Sequence, residues 1–167
     1  MTATLRASLR PYTLAGLLVF AALGMPPLCA APAKAPAAET ADGGRYFGPL
    51  VAGKMHGQGR LEYASGAFYE GGFARGVFSG QGKLRQASGV EYTGAFRQGA
   101  FDGQGRYTSP KGELYVGSFV KGSFDGEGRF QGADGATFEG RFKNWRPHGD
   151  GKLTDTDGTV FEGQFVQ

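Results

Sequence analysis

Two pairs of side chains in this sequence are of types that carry acid–base or metal chemistry. His56 and His148 are the only histidines of the chain, and Asp102 and Asp125 each stand directly before a glycine. Two imidazoles could share a metal or a proton, and two carboxylates could act as acid and base, but only if the fold brings each pair together. The elements that carry these residues therefore decide whether either pair is a site.

Those elements belong to a repeat. An aromatic residue recurs every 23 residues without insertion or deletion, at Tyr46, Tyr69, Tyr92, Tyr115, Phe138 and Phe161. We number each unit from this residue as position zero, so units one to five start at 46, 69, 92, 115 and 138, and a half unit starts at 161. Glycine occupies positions two, eleven, thirteen and twenty of every complete unit. A fixed period of this length is typical of a repeat architecture.

The parity of these positions predicts strands. Side chains alternate between the two faces of a strand, so positions zero, two and four share one face, and positions eleven, thirteen and fifteen share a face of a second strand. Each unit therefore predicts a β-hairpin in which glycine leaves room for a ring over bare backbone. Ser65-Gly66 and its copies at position twenty supply turns between units. We expect an all-β, elongated, single-layer antiparallel ribbon of eleven strands over residues 45–167.

The pattern resembles the membrane occupation and recognition nexus (MORN) repeat family, whose motif runs Tyr-x-Gly-x-aromatic-x-x-Gly-x-x-x-Gly-x-Gly. Residues 92–105, Tyr-Thr-Gly-Ala-Phe-Arg-Gln-Gly-Ala-Phe-Asp-Gly-Gln-Gly, match it throughout. The resemblance implies a β-hairpin array used for protein association and scaffolding, with phospholipid contact suggested for some members and no catalytic residues. The fifth unit departs from the motif, with Trp145 in place of glycine and Pro147 in place of phenylalanine.

The repeat separates both candidate pairs. His56 and His148 are four units apart, or roughly 38 Å at two strands per unit, which is too far to share a metal or a proton. Asp102 and Asp125 lie in adjacent units about 10 Å apart, slightly beyond the separation in inverting glycosidases. We therefore interpret all four as turn residues and predict no catalytic residue, cofactor or metal site. A periplasmic hydrolase, or an accessory subunit of an envelope enzyme, remains the competing class.

Position fourteen is basic in every complete unit and points away from the apolar positions. Cross-strand pairing with glutamates at position one would explain this row as a solubility device. The alternative is a weak multivalent surface for anionic lipid headgroups or acidic envelope polymers. Position twelve becomes acidic toward the C-terminus, so anion binding should favour the first three units. The candidate anion-binding residues are Arg60, Lys83, Arg106, Arg129 and Lys152.

Composition limits the other function classes. Of the 31 glycines, 27 lie within residues 45–167, which excludes a long helical bundle, and their spacing excludes collagen. The same residues carry 15 Lys and Arg against 13 Asp and Glu. Because dedicated nucleic-acid domains have a much larger basic excess, we predict no nucleic-acid partner.

The N-terminus predicts export. Arg6 and Arg10 precede an apolar stretch over residues 14–23, and small residues follow two prolines, as in a signal peptide over residues 1–33 that is cleaved between 30 and 34. An uncleaved membrane anchor is the alternative, because no charge occurs over residues 11–33. Residues 34–44, rich in Ala and Pro, predict a disordered spacer. We expect the periplasm or cell envelope as the location.

The sequence thus predicts an exported, non-catalytic interaction or scaffold module with an unidentified protein partner. The chain stops after half a unit, which leaves a strand without its hairpin partner. Phe161 and Phe165 lie on one face of that strand, so it could pair with a partner strand or with a second copy as a homodimer. The alternative is that the half unit only caps the fifth hairpin.

Overall fold

The structure is a computed structural model that describes residues 35–166, and these residues form strands and turns without a helix. The predicted signal peptide and its cleavage site lie outside the described residues. The strands are β1 Ala38–Glu39, β2 Arg45–Phe47, β3 Leu50–Val51, β4 Lys54–Met55, β5 Gly57–Glu62, β6 Phe68–Ala74, β7 Val77–Arg85, β8 Glu91–Arg97, β9 Ala100–Thr108, β10 Leu114–Val120, β11 Ser123–Gln131, β12 Thr137–Lys143, β13 Arg146–Thr154 and β14 Val160–Phe165.

Twelve strands form one antiparallel sheet in the order β1-β2-β5-β6, continuing in sequence to β14, and β3 pairs with β4 separately. From β5 onward each strand pairs with its neighbours in the chain, so these connections are hairpins, whereas β2 pairs with β5 and the β3–β4 hairpin lies between them in sequence. In unit four, Tyr115 lies opposite Phe130 and Gly117 opposite Gly128. On its other side Phe130 lies opposite Phe138 of unit five. The predicted all-β, single-layer antiparallel array of hairpins is confirmed.

A bulge within each hairpin extends the pattern that parity predicted. Gly117 pairs with Gly128, and the next pair is Phe119 with Phe124, so the second strand has two more residues than the first. Gly126 at position eleven lies in this segment with φ of +107°, a conformation that favours glycine. Because of these additional residues, the side chain at position nine lies on the same face as the rings at positions zero and four, and Phe124 at position nine is buried there.

The tight turn inside each unit has positive φ at positions six and seven, as in a type I′ turn. Lys121 and Gly122 have φ of +48° and +88°, and Asn144 and Trp145 have +48° and +72°. Trp145 N–H donates to the Phe124 carbonyl, and Gly122 N–H donates to the Phe101 carbonyl in the same way. The fifth unit therefore keeps the turn geometry although its seventh residue carries a side chain in the left-handed region, where residues other than glycine are strained.

The array begins earlier than the sequence suggests. Strand β1 lies inside the segment predicted to be a disordered spacer, and it pairs with β2. Gly43 N–H donates to the Thr40 carbonyl at 2.9 Å, the same turn that Gly66 N–H makes with the Tyr63 carbonyl. Asp42 holds this turn, because its carboxylate accepts from the Thr40 hydroxyl and from the Tyr63 hydroxyl. Residues 38–44 therefore continue the 23-residue period upstream, and the sheet has twelve strands rather than eleven.

Candidate interaction surfaces

One face of the sheet, which we call the ring face, carries the aromatic side chains at positions zero, four and nine. Tyr115 stacks on Phe124 with ring centroids 3.8 Å apart and planes at 7°. Phe119 and Phe142 meet Tyr115 edge-on at 5.2 and 5.0 Å. Units two and three repeat this arrangement, with Tyr69 on Phe78 and Tyr92 on Phe101 at 3.8 Å. Position nine therefore belongs to the core, a role that the period had not revealed.

The glycines at positions two and thirteen, which recur in every complete unit, let the ring at position zero lie flat on the sheet. A Cβ atom on Gly128 would lie 2.4 Å from the Tyr115 hydroxyl and 2.6 Å from two ring carbons. The same hydroxyl donates to the Ser118 carbonyl at 3.0 Å. Burial raises the pKa of Tyr69, Tyr92 and Tyr115 to about 12. These rings are neutral, closely packed structural groups at ordinary pH.

The ring face is only partly covered. Ten hydrophobic residues packed against the buried rings keep part of their surface in solvent, and no second layer covers them among residues 35–166. A groove of about 490 Å³ between units two and three is lined on this face by Phe78, Leu84 and Phe101. An antiparallel sheet commonly has one solvated face, but that face is then polar, so an apolar one indicates an interaction surface.

Unit five fills the ring face differently. Pro147 takes position nine opposite Phe142, where units two to four have a phenylalanine and unit one has Met55. Phe138 meets Phe142 and Phe165 edge-on at 5.1 and 4.8 Å and has no stacked ring among the described residues. Trp145 lies instead against unit four, 4.2 Å from the ring of Phe124, and is 46% exposed. A cavity of about 570 Å³ opens beside Pro147.

The opposite face, which we call the outer face, carries the five predicted cations in one row, and three of them form ion pairs across strands. Arg60 pairs with Glu70 at 3.0 Å, Arg129 with Glu139 at 3.1 Å, and Lys152 with Glu162 at 3.0 Å. All these side chains are largely exposed, so each pair contributes little to stability. The register thus matches the pairing role considered for these residues.

Lys83 and Arg106 differ from the other three cations, because neither forms an ion pair among the described residues. Arg106 lies between Thr93 and Val116, neither of which is charged, and Lys83 lies between Glu70 and Thr93. Position twelve adds Gln81 and Gln104 beside them on the same face. The candidate anion surface is therefore least neutralised in units two and three. It stays a prediction.

Three of the four acid–base candidates lie in strands instead of turns, and His56 lies between β4 and β5, where its backbone N–H donates to the Pro49 carbonyl at 3.0 Å. Asp102 and Asp125 precede the bulge glycine within β9 and β11, and His148 does so within β13. In the sequence, a residue that precedes a bulge glycine cannot be distinguished from one that precedes a turn glycine. Asp102 forms an ion pair with Arg97 at 3.3 Å, and Asp125 with Lys143 at 2.8 Å, so each carboxylate anchors a tight turn.

The half unit has features of both alternatives considered for it, a cap on the fifth hairpin and a free strand edge for association. Phe165 covers Phe138 edge-on, as a cap would. Phe161 remains 53% exposed, and the outer edge of β14 pairs with no strand among residues 35–166. Association through this edge stays a prediction.

Residues 35–166 contain neither of two other kinds of site. No group of three or more His, Cys, Asp or Glu side chains is arranged there to hold a metal ion. That part of the chain also has no helix long and apolar enough to cross a membrane.

Comparison with protein-family models identifies five consecutive MORN repeats, at residues 46–68, 69–91, 92–113, 115–137 and 138–160. Each match starts at the first residue of one of units one to five, including the atypical fifth. A search of curated proteins finds no match.

Proposed function

Because the chain belongs to the MORN repeat family, whose repeats are generally interaction or scaffold modules, we propose that it is an exported, non-catalytic scaffold that binds a protein partner. The single observation that carries the proposal is the uncovered apolar ring face. A row of half-buried rings and aliphatic side chains on a single-layer sheet loses free energy when a partner covers it, at about 25 cal/mol per Å² of apolar surface.

The ring face suits a protein segment better than a charged surface. Its grooves are lined mainly by aromatic and aliphatic side chains, whereas the charged side chains lie mostly on the outer face or around the turns. MORN repeats are typically non-catalytic, and the carboxylates weighed as acid–base groups are occupied by ion pairs. The alternative of a hydrolase predicts turnover that Asp125→Asn abolishes.

A second candidate, binding of anionic lipid or envelope polymer, is favoured by one observation. Lys83 and Arg106 lie on either side of Thr93 along the outer face, without ion-pair partners among the described residues. Two exposed cations give a weak attraction that salt screens, so this candidate requires many copies or a clustered ligand.

A pair of double variants separates the two candidates. Leu84→Gln with Tyr107→Gln makes the ring face polar, and Lys83→Gln with Arg106→Gln removes the adjacent charges from the outer face of the same strands. Affinity capture from cell-envelope extracts with the wild type should recover a partner that the first variant loses and the second retains. Loss with the second variant only would support the anionic ligand, and equal capture by all three proteins would refute binding through the ring face.

Export has its own test. We expect the protein to fractionate with the cell envelope or periplasm, and mass spectrometry of the recovered protein to give an N-terminus between residues 31 and 34. Recovery of an intact chain in the membrane fraction would favour the anchor. Recovery of an intact chain in the cytosol would refute export.

A further inference from the structure

In units two to four a phenylalanine at position nine closes the layer of rings on the ring face, whereas in unit five this layer is open. In units two to four the position-nine phenylalanine covers the position-four rings on either side. Phe78, for example, lies 5.6 Å from Phe73 and 5.8 Å from Phe96. Neither of these position-four rings lines the groove between units two and three, because Phe78 lies over them.

Unit five has the opposite arrangement. Pro147 supplies no ring at position nine, and the cavity beside it is lined by both flanking position-four rings, Phe142, which is 3% exposed, and Phe165. Phe138, Phe130 and Trp145 complete the apolar walls. The residues at this cavity, Phe130, Phe138, Phe142, Trp145, Pro147 and Phe165, define what we call the unit-five cavity. It occupies the region that a ring at position nine fills in units two to four.

The charge at the rim is of one sign. Among the described residues, Glu113 and Asp134 are the only charged ones that line the cavity, and both are acidic. Neither forms an ion pair among the described residues, although Asp134 accepts a hydrogen bond from the Ala136 backbone N–H at 3.1 Å. Two carboxylates beside an apolar opening attract a cationic group to the rim.

We propose that the unit-five cavity receives an aromatic side chain of a partner protein, flanked by lysine or arginine, in place of the missing position-nine ring. The proposal deepens the proposed function and rests on it for the partner being a protein. The repeat itself supplies the template, since edge-on contacts at 5.4 to 6.1 Å with the flanking position-four rings surround each of the three rings that fill this place in units two to four. The half unit of a second copy fits poorly, because Glu162 would bring a carboxylate to an acidic rim.

The chain carries a natural reporter for this site. Trp145 is the single tryptophan, so its indole N–H gives one resonance in a two-dimensional NMR spectrum, and that side chain is a wall of the cavity. The probe is the blocked pentapeptide Gly-Lys-Phe-Lys-Gly. A single anchoring ring gives a weak complex, with a Kd on the order of 1 mM.

Two other pentapeptides test the chemistry of the occupant. Replacing phenylalanine by leucine should weaken binding about fivefold, because the edge-on ring contacts are lost. Replacing both lysines by glutamate should weaken it about tenfold or more, because the acidic rim then repels the peptide. Equal affinity for the phenylalanine and leucine peptides, or no shift of the indole resonance with any peptide, would overturn the proposal.

The variant Pro147→Phe tests the location. It supplies the missing ring from within the chain and should reduce the affinity for the phenylalanine peptide about tenfold or more. Val116→Phe, which adds the same side chain on the outer face of unit four, is the matched control and should bind as the wild type does. Binding by Pro147→Phe within about twofold of the wild type would refute the site.

Failure of this site is distinguishable from failure of the proposed function. If the captured partner is lost by the ring-face double variant but binds Pro147→Phe unchanged, the ring face is the interaction surface and the unit-five cavity is not its anchor. If the peptides bind as expected but both the ring-face double variant and Pro147→Phe keep the partner, the cavity is a site and the proposed function is wrong.

Discussion

Units two to four and unit five share a backbone but differ in what lies on it. Unit four stacks Phe124 on Tyr115 and surrounds both rings, whereas unit five has Pro147 beneath an open cavity and a tryptophan that packs backward on unit four. The turn and register are nevertheless the same in both. The comparison teaches that glycine positions fix the hairpin, while the residue at position nine decides whether the ring face is closed.

The largest expected difference between the two regions is their response to alkali. Burial raises the pKa of Tyr69, Tyr92 and Tyr115 to about 12. Each neutral phenol therefore makes its full contribution to the stability of the fold below the ordinary tyrosine pKa of about 10. This contribution is lost as the pH rises through 12. Each phenol is worth about 2–3 kcal/mol over this range. Urea unfolding at about pH 8 and about pH 11 should show a large loss of stability.

Unit five is the internal control for this pH dependence, because Phe138 has no hydroxyl. Hydrogen exchange followed at raised pH should therefore show units two to four opening before unit five. Replacing the three tyrosines with phenylalanine should remove most of the alkaline loss. A variant that retains the full loss would assign it to other groups.

The second difference concerns position nine itself. Phe124→Ala removes a buried ring that contacts Tyr115, Phe119 and Trp145, and should lower the free energy of unfolding by about 3–5 kcal/mol. Pro147→Ala at the equivalent place removes little packed surface and should cost less than about 1 kcal/mol. Urea denaturation of both variants gives the comparison, and equal losses would contradict the difference between the units.

A smaller effect is expected at position thirteen. A methyl group on Gly128 meets the Tyr115 ring, which Phe124 holds from the other side, so Gly128→Ala should cost about 1–3 kcal/mol. A methyl group on Gly151 meets Phe138 as closely, at 2.3 Å from Cζ. Phe138 can move toward the cavity, so Gly151→Ala should cost about half as much. Thermal melts rank the two, and a reversed order would show that the cavity gives no freedom to Phe138.

The period of 23 residues was sufficient to predict the hairpins, their register and the ring face. Side-chain alternation assigns Tyr115, Gly117 and Phe119 to one face without any knowledge of the structure. The same alternation predicted the row of cations opposite the apolar positions, and the register brings Arg60 beside Glu70 and Arg129 beside Glu139 as considered.

Three features could not be predicted because they depend on contacts that alternation does not encode. The bulge at Gly126 shifts position nine into the core, and a glycine in a bulge looks the same in sequence as a glycine in a turn. Strand β1 was hidden by its Ala and Pro content, although Asp42-Gly43 lies one period before Ser65-Gly66. The unit-five cavity needs side-chain positions, since Pro147 and Trp145 mark a departure but not its shape.

The melting temperature of Pro147→Phe tests the central claim, that unit five lacks the position-nine ring that closes the layer in units two to four. A phenylalanine placed there should stack on Phe138 as Phe124 stacks on Tyr115 at 3.8 Å. Closing the layer should stabilise the protein by about 1 kcal/mol or more, which raises the melting temperature by roughly 3 °C or more. An unchanged or lower melting temperature would contradict the account, because the cavity would then not have the shape of the missing ring.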